Sequence, residues 1–333
     1  MNCLVTGAAG FIGSHLCEKL IEHGHTVVGI DNLSVGRVEN LKSILKHANF
    51  TFEKVDVTVR QSKSGHWLGR KLKDIDWVFH LAARADIVPS IVDPFDYHRA
   101  NVEGTVAVLD AARRQGVKRF IYAASSSCYG IPDEYPTLES AEMRPEYPYA
   151  LTKMIGEQYV MHWAKVYKMP TISLRFFNVY GPRARTAGTY GAVFGVFLSQ
   201  LFHKDPLTVV GDGTQTRDFT FVSDVVRALV LAAESNVVGE CINIGAGQPR
   251  SVNELVSLLG TTNIQHIPKR PAEPDCTWAN IDKASQLLGW RPEVSFEEGV
   301  KKMLEGLENF RDAPLWNPCS IEKATKAWFK HLG

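Results

Sequence analysis

Seven residues into the chain, Gly7-Ala8-Ala9-Gly10-Phe11-Ile12-Gly13 separates an apolar run, Asn2–Thr6, from a helical pattern over Phe11–His23. A strand that turns through closely spaced glycines into a helix brings backbone against a pyrophosphate. The ligand's charge then faces the unpaired N–H groups of the first helical turn. Glycine-rich turns are common, and it is the flanking strand and helix that make this one specific. Further β-branched and aromatic runs follow at Thr26–Ile30, Phe50–Val55, Trp77–Leu81, Arg119–Ala123 and Thr171–Arg175, with helical patterns at Phe95–Gln115 and Tyr149–Tyr167. The alternation is that of βαβ units. Most of the runs are apolar throughout, as strands covered on both faces of a parallel sheet are.

The expected fold class is therefore α/β, a doubly wound parallel sheet of Rossmann type over residues 1–175. After about Arg175 the elements shorten and are broken by Gly181-Pro182, Gly211-Asp212-Gly213, Gly245-Ala246-Gly247 and the stretch Pro268 to Pro274. This predicts a smaller mixed α/β domain over 176–333, with some segments returning to pack on the first domain and a cleft between the two. No repeat or flexible linker interrupts the chain.

Lys and Arg number 37 against 36 Asp and Glu, a formal charge of +1, so no general basic field recruits nucleic acid or an anionic membrane. The six cysteines, Cys3, Cys17, Cys128, Cys241, Cys276 and Cys319, have no CxxC or zinc-ligand spacing, which favours reduced thiols and no metal site. The N-terminus lacks the charged lead and apolar core of an export signal, and no apolar stretch reaches the roughly 20 residues of a membrane span. A cytoplasmic location is the expectation.

Asp31 ends the second run, 18 residues beyond Gly13. A carboxylate there accepts hydrogen bonds from an adenosine ribose and repels a 2′-phosphate, which selects NAD over NADP. Arg37 nearby argues the other way, and Asp31-Asn32 also reads as a polar turn. NAD is retained, with Asp56-Val57 after the third run placed toward the adenine.

Tyr149 and Lys153 lie four residues apart, on one helix face. A phenol has a pKa near about 10, and a neighbouring ammonium together with an oxidised nicotinamide favours its ionised form. The spacing alone is common on solvated helices, so context decides. Ser125-Ser126-Ser127-Cys128-Tyr129-Gly130 follows the fifth run and lies at the carboxyl edge of the sheet, where ligands of such folds bind.

At this point the sequence resembles the extended short-chain dehydrogenase/reductase family, specifically its NAD-dependent nucleotide-sugar epimerases and dehydratases. GAAGFIGSH at 7–15, HLAA at 80–83, SSSCYG at 125–130, YALTK at 149–153, LRFFNVYGPR at 174–183, GDGTQTRDF at 211–219 and RPAEP at 270–274 stand in that family's order. The resemblance implies that Ser125 shares a proton with the substrate, Tyr149 is the base, and Lys153 lowers its pKa and holds the nicotinamide ribose. Gly7, Gly10, Phe11, Ile12, Gly13, Asp31, Asn32, Asp56, Val57, Leu81, Ala82, Ala83 and Asn101 are implied for the cofactor. Ser126, Asn178, Val209, Arg217, Arg270, Glu273 and Thr277 are implied for a nucleotide sugar, the arginines clamping two phosphates and Glu273 reading the ribose.

Ser125-Ser126-Ser127 replaces the Thr-Asp-Glu of the family's 4,6-dehydratases and lacks the Glu of its uronate decarboxylases, which leaves 4-epimerisation of a UDP-sugar. Thr277 stands where some 4-epimerases carry Tyr, so space for a 2-acetamido group is expected. Arg185 would suit a uronate carboxylate, while the segment Arg183 to Tyr190 also reads as a lid whose arginines meet only phosphate or water. The rivals are a nucleotide-sugar reductase or dehydratase and a non-catalytic NAD-binding scaffold or sensor. Related enzymes dimerise through two long helices, and Val102, Val106, Leu109, Ile155, Tyr159 and Trp163 fit that pattern. The tail 313–333 reads as an amphipathic helix packed on the body or on a partner.

Overall fold

The computed structural model describes residues 1–58, 67–184 and 190–333. Its centre is a seven-stranded sheet, all parallel: β1 Asn2–Thr6, β2 Thr26–Asp31, β3 Phe50–Lys54, β4 Trp77–His80, β5 Arg119–Ser125, β6 Thr171–Phe176 and β7 Glu240–Ile244. The strand order is β7-β6-β5-β4-β1-β2-β3. The chain lays β2 and β3 on one side of β1 and then crosses to place β4 on the other. A crevice opens at that switch point, at the carboxyl ends of the strands.

Inner strands β4 and β6 are buried along their whole length, whereas β3 at the edge is buried only at Phe50. One apolar cluster runs from Cys3, Leu16 and Phe79 through Leu174 to Phe219, Leu229, Trp290 and Ile321, so both halves of the chain share a core. The seventh strand comes from the second half and pairs along β6 from Glu240↔Ile172 to Ile244↔Phe176.

The helical path expected over Phe95–Gln115 is continuous but not uniform. It runs as Pro94–His98, a π-helical turn at Arg99–Glu103, and Gly104–Gln115. Just after the π turn the helix passes close to the loop beyond β3, since a Cβ on Gly104 would lie 3.1 Å from Val57 Cγ2. The extra residue of the π turn also aims Asn101 inward, a local distortion often found beside functional sites. The Tyr149 helix spans Pro148–Tyr167 with proline in its first turn, where the missing N–H costs nothing. In the second half, the strand Leu207–Val210 pairs in parallel with Ile264–Ile267. All six cysteines are free, and among the described residues no helix is long and apolar enough to cross a membrane.

Candidate active site

A single cavity of about 960 Å³ runs along the carboxyl edge of the sheet, from the glycine turn to the loop around Arg270. That volume is at the upper end for small-molecule sites. Nearly every strand donates the residues just past its end: Gly7, Gly10, Phe11, Ile12 and Gly13 after β1, Asp31 and Asn32 at β2, Asp56 and Val57 after β3, Leu81, Ala82 and Ala83 after β4, Ser125 and Ser126 at β5, and Asn178 after β6.

The turn is built for close approach. Gly7 has φ +69°, and a Cβ on Gly13 would sit 2.1 Å from the Gly7 carbonyl oxygen. The helix Phe11–Glu22 begins at Gly10 with no side-chain cap and no acidic residue in its first turn, so its leading N–H groups are left for an anion. Asp31 accepts from Ala9 N at 3.1 Å and from Leu33 N at 2.8 Å. Burial pushes its carboxyl above the ordinary range, against those two donors. A turn this tight, with an uncapped helix start and a carboxylate at the second strand, fits a dinucleotide without a 2′-phosphate.

A hydrogen-bonded chain then joins the glycine-turn strand to the Tyr149 helix. The Thr6 hydroxyl accepts from Leu81 N at 3.1 Å and Ala82 N at 3.0 Å, so it donates its own proton to His80 Nδ1 at 2.8 Å. His80 Nε2 therefore carries the imidazole proton and donates to Thr105 Oγ1 at 3.0 Å, which donates to the Asn101 carbonyl at 2.6 Å. The Asn101 side chain donates to Arg84 O and Thr152 Oγ1, and Thr152 donates to Tyr149 O. Burial pushes His80 down to about 3, which keeps the ring neutral in this role. In the sequence His80 stands only as a motif letter, because its role depends on Thr6 and Thr105 from distant elements.

Tyr149 stacks on Tyr147, ring centroids 6.4 Å apart at 9°, with Tyr97 edge-on at 6.4 Å. Its phenol faces Ser125, whose Oγ lies 2.7 Å from Ser127 Oγ. Burial is the largest influence on Tyr149 and holds its pKa above the ordinary range, with the Ser125 contact opposing it. Lys153 is 5% exposed, donates to Ala123 O and lies 4.4 Å from the centre of the Tyr122 ring. Burial pushes its ammonium down to about 7.

Three expectations are corrected by this geometry, while Lys153, expected to favour the Tyr149 phenolate together with an oxidised nicotinamide, donates to the Ala123 carbonyl behind the cavity wall. Asn101 does not line the cavity; it is 1% exposed, and its amide is consumed by Arg84 and Thr152. Val209 does not wall a base either. It is fully buried, and strand alternation turns Thr208 and Val210 to the cavity instead. Val102 and Leu109 are buried within the chain and unavailable to a second copy. Arg185 lies outside the described residues, while Arg183 is paired with Glu18 at 2.8 Å.

At the far end of the cavity, Glu273 bridges two guanidinium groups: Arg217 Nη2 at 2.9 Å and Arg270 Nε at 3.0 Å. Two cations on one carboxylate leave the cluster one positive charge in excess, with planar forks suited to phosphate oxygens. Thr277 donates to Asn178 Oδ1 at 2.7 Å and accepts from Asp218 N at 3.0 Å. Aromatic residues not assigned to the site from sequence also line it, among them Tyr147, Tyr190, Trp316 and Trp328.

The profile of the NAD dependent epimerase/dehydratase family matches residues 3–245. The chain is 38% identical over 315 residues to UDP-glucose 4-epimerase of Mycolicibacterium smegmatis, covering 93% of this chain and 99% of that one. Among solved structures, UDP-glucuronic acid 4-epimerase from Bacillus cereus with UDP-glucuronic acid and NAD superposes with a TM-score of 0.85 at 35% identity, over 93% and 99% of the two chains. UDP-N-acetylglucosamine 4-epimerase from Methanobrevibacter ruminantium M1, in complex with UDP-N-acetylmuramic acid, gives a TM-score of 0.86 at 32% identity, over 92% and 98%.

Proposed function

Because the chain belongs to the NAD dependent epimerase/dehydratase family and is an NAD-dependent enzyme of the epimerase kind, we propose that it interconverts C4 epimers of a UDP-sugar, with room for a 2-acetamido group. The observation that carries this reading is one cavity that holds both the Ser125–Tyr149 pair and, at the end away from the glycine turn, the Arg217–Glu273–Arg270 cluster.

In this reading NAD, when bound, supplies an acceptor and donor for one hydride and a positive charge near the phenol, and it ends unchanged. The chain does the rest. The glycine turn and the uncapped helix hold the pyrophosphate, and Asp31 holds the adenosine ribose. Tyr149 takes the O4 proton and later returns it, with the Ser125 hydroxyl as hydrogen-bond partner throughout. Lys153 fixes the wall behind them. Arg217 and Arg270 anchor the sugar's diphosphate, which leaves the 4-keto sugar free to present its other face. Positions 125–127 are all serine, so no carboxylate stands there for dehydration.

The substrate choice rests on Thr277, a small side chain tied to Asn178. Incubation with UDP-glucose, UDP-N-acetylglucosamine and UDP-glucuronate, followed by anomeric-proton NMR, tests it. Conversion of the first two supports the reading; conversion of the uronate alone, or of none, rejects it. We further propose a cytoplasmic homodimer joined along the Pro148–Tyr167 helix, supported by the exposed Leu151, Tyr159 and Tyr167. A monomeric mass by light scattering would reject the dimer.

A further inference from the structure

The Arg270 guanidinium lies between two aromatic rings, 5.4 Å from the centre of Tyr190 and 5.3 Å from that of Trp328. Trp328 comes from the C-terminal helix Pro318–Leu332, far along the chain from any of the site's motifs. That helix forms for local reasons. Asn317 and Ser320 make a reciprocal capping box, Pro318 occupies the first turn, and Ile321, Thr325 and Trp328 form a buried stripe at helical spacing. It packs on the helix Ile87–Val92, whose first residues also line the cavity.

Trp328 is 3% exposed and makes two contacts with the same loop. Its ring faces Arg270, and its indole N–H donates to the Pro271 carbonyl at 2.7 Å. The next residue, Ala272, has φ +54°, a left-handed conformation unfavourable for a residue with a Cβ. Such a conformation persists only where surrounding contacts hold it, and the indole N–H fixes the carbonyl just before it. The loop Arg270 to Pro274 is therefore shaped from outside, by a helix that lies beyond the body of the motifs.

We propose that Trp328 is a positioning residue for diphosphate recognition: its ring holds the Arg270 guanidinium and its N–H holds the Arg270–Pro274 loop, so the C-terminal helix is part of the nucleotide site. The inference rests on the UDP-sugar reading above. Trp328 acts through Arg270, and its effect is felt by a ligand that carries phosphate.

Titration calorimetry of UDP and of uridine into the full chain, saturated with NAD, reads this out. Trp328→Ala should raise the Kd for UDP about tenfold, the scale of one cation–π contact, and leave uridine unchanged. Trp328→Phe, which keeps a ring and loses the N–H, should fall between. In an Arg270→Ala background, Trp328→Ala should have no further effect. The KM for the sugar nucleotide should rise with kcat within a few-fold. Equal weakening toward UDP and uridine, UDP affinity unchanged in Trp328→Ala, or full additivity with Arg270→Ala would overturn the proposal. If Trp328→Ala does not fold, the Trp328→Phe cycle carries the same test. A wild-type chain that binds no UDP refutes the UDP-sugar reading together with the inference, whereas wild-type binding with an indifferent variant refutes the inference alone.

Discussion

Replacing Glu157 with Gln removes one charge from a buried network directly behind the site. Arg175 and Glu157 are 5% and 3% exposed, with Arg175 Nη2 2.6 Å from Glu157 Oε1 and Arg175 Nε within 3.1 Å of both carboxylate oxygens. The guanidinium also donates to Tyr129 Oη at 2.6 Å and Glu139 O at 2.9 Å, while Ser173 donates to Glu157 at 2.7 Å. These partners hold Arg175 more firmly charged than a free arginine, so it cannot relieve the loss by deprotonating. An uncompensated buried cation costs about 3–5 kcal/mol. With an unfolding entropy of about 2.1 cal/mol/K per residue over this length, that corresponds to a fall of about 4–7 °C in Tm. Scanning calorimetry at neutral pH measures it. Activity should fall as well, because Tyr129 ends the Ser126–Tyr129 turn that follows Ser125. The double variant Glu157→Leu/Arg175→Met, which removes both charges, should melt closer to wild type than the single variant. A Glu157→Gln protein melting within about 1 °C of wild type, or a double variant no better than the single, would refute the assignment of energy to this pair.

Gly13→Ala should yield protein without bound NAD, judged by ultraviolet absorbance, because its Cβ meets the Gly7 carbonyl at 2.1 Å; retained NAD would contradict the tight-turn argument. Asp31→Asn should shift the NADP-to-NAD affinity ratio toward NADP by about tenfold, since it removes the charge that repels a 2′-phosphate; an unchanged ratio in paired titrations would count against that role. His80 binds its proton far more weakly folded, at about 3, than its ordinary 6.5. The unfolded state therefore takes up protons first, and the stability due to neutral His80 is complete above 6.5 and lost as pH falls toward 3. The Tm gap between wild type and His80→Asn should narrow across that window; a constant gap would exclude His80 as the titrating group. Thr277→Tyr should abolish turnover of the acetamido sugar and spare UDP-glucose, with Thr277→Ser, which keeps the hydroxyl that meets Asn178, behaving as wild type. Equal effects on both sugars would argue that Thr277 does not set substrate size.

Six strands of the sheet begin at the residues their apolar runs mark, because a strand buried on both faces has little choice of composition. The seventh was not legible. Glu-Cys-Ile-Asn-Ile is not an apolar run, and its Asn243 tolerates burial only because Tyr129 and Thr137 satisfy its amide. The cavity-lining residues just past β1 to β4 were legible for a similar reason, since each follows a strand directly and topology carries it to the crevice. The errors concern orientation and distance. Whether Val209 or its neighbour faces the cavity depends on the parity of a short strand, and whether Asn101 meets ligand or backbone depends on a π turn that periodicity does not register. Trp328 falls within the tail that reads from sequence as an amphipathic helix, and nothing near it in the chain points to a phosphate.

β7 enters the sheet only at Glu240, well after β6 ends at Phe176. A nascent or proteolysed fragment ending between residues 177 and 239 would carry β6 with one hydrogen-bonding edge bare and its apolar faces half covered. Such an edge invites pairing with a neighbouring molecule. Dividing the protein near residue 176 to obtain a stand-alone cofactor module should therefore give inclusion bodies, whereas carrying the chain through Ile244 should be the shortest route to the complete seven-stranded sheet.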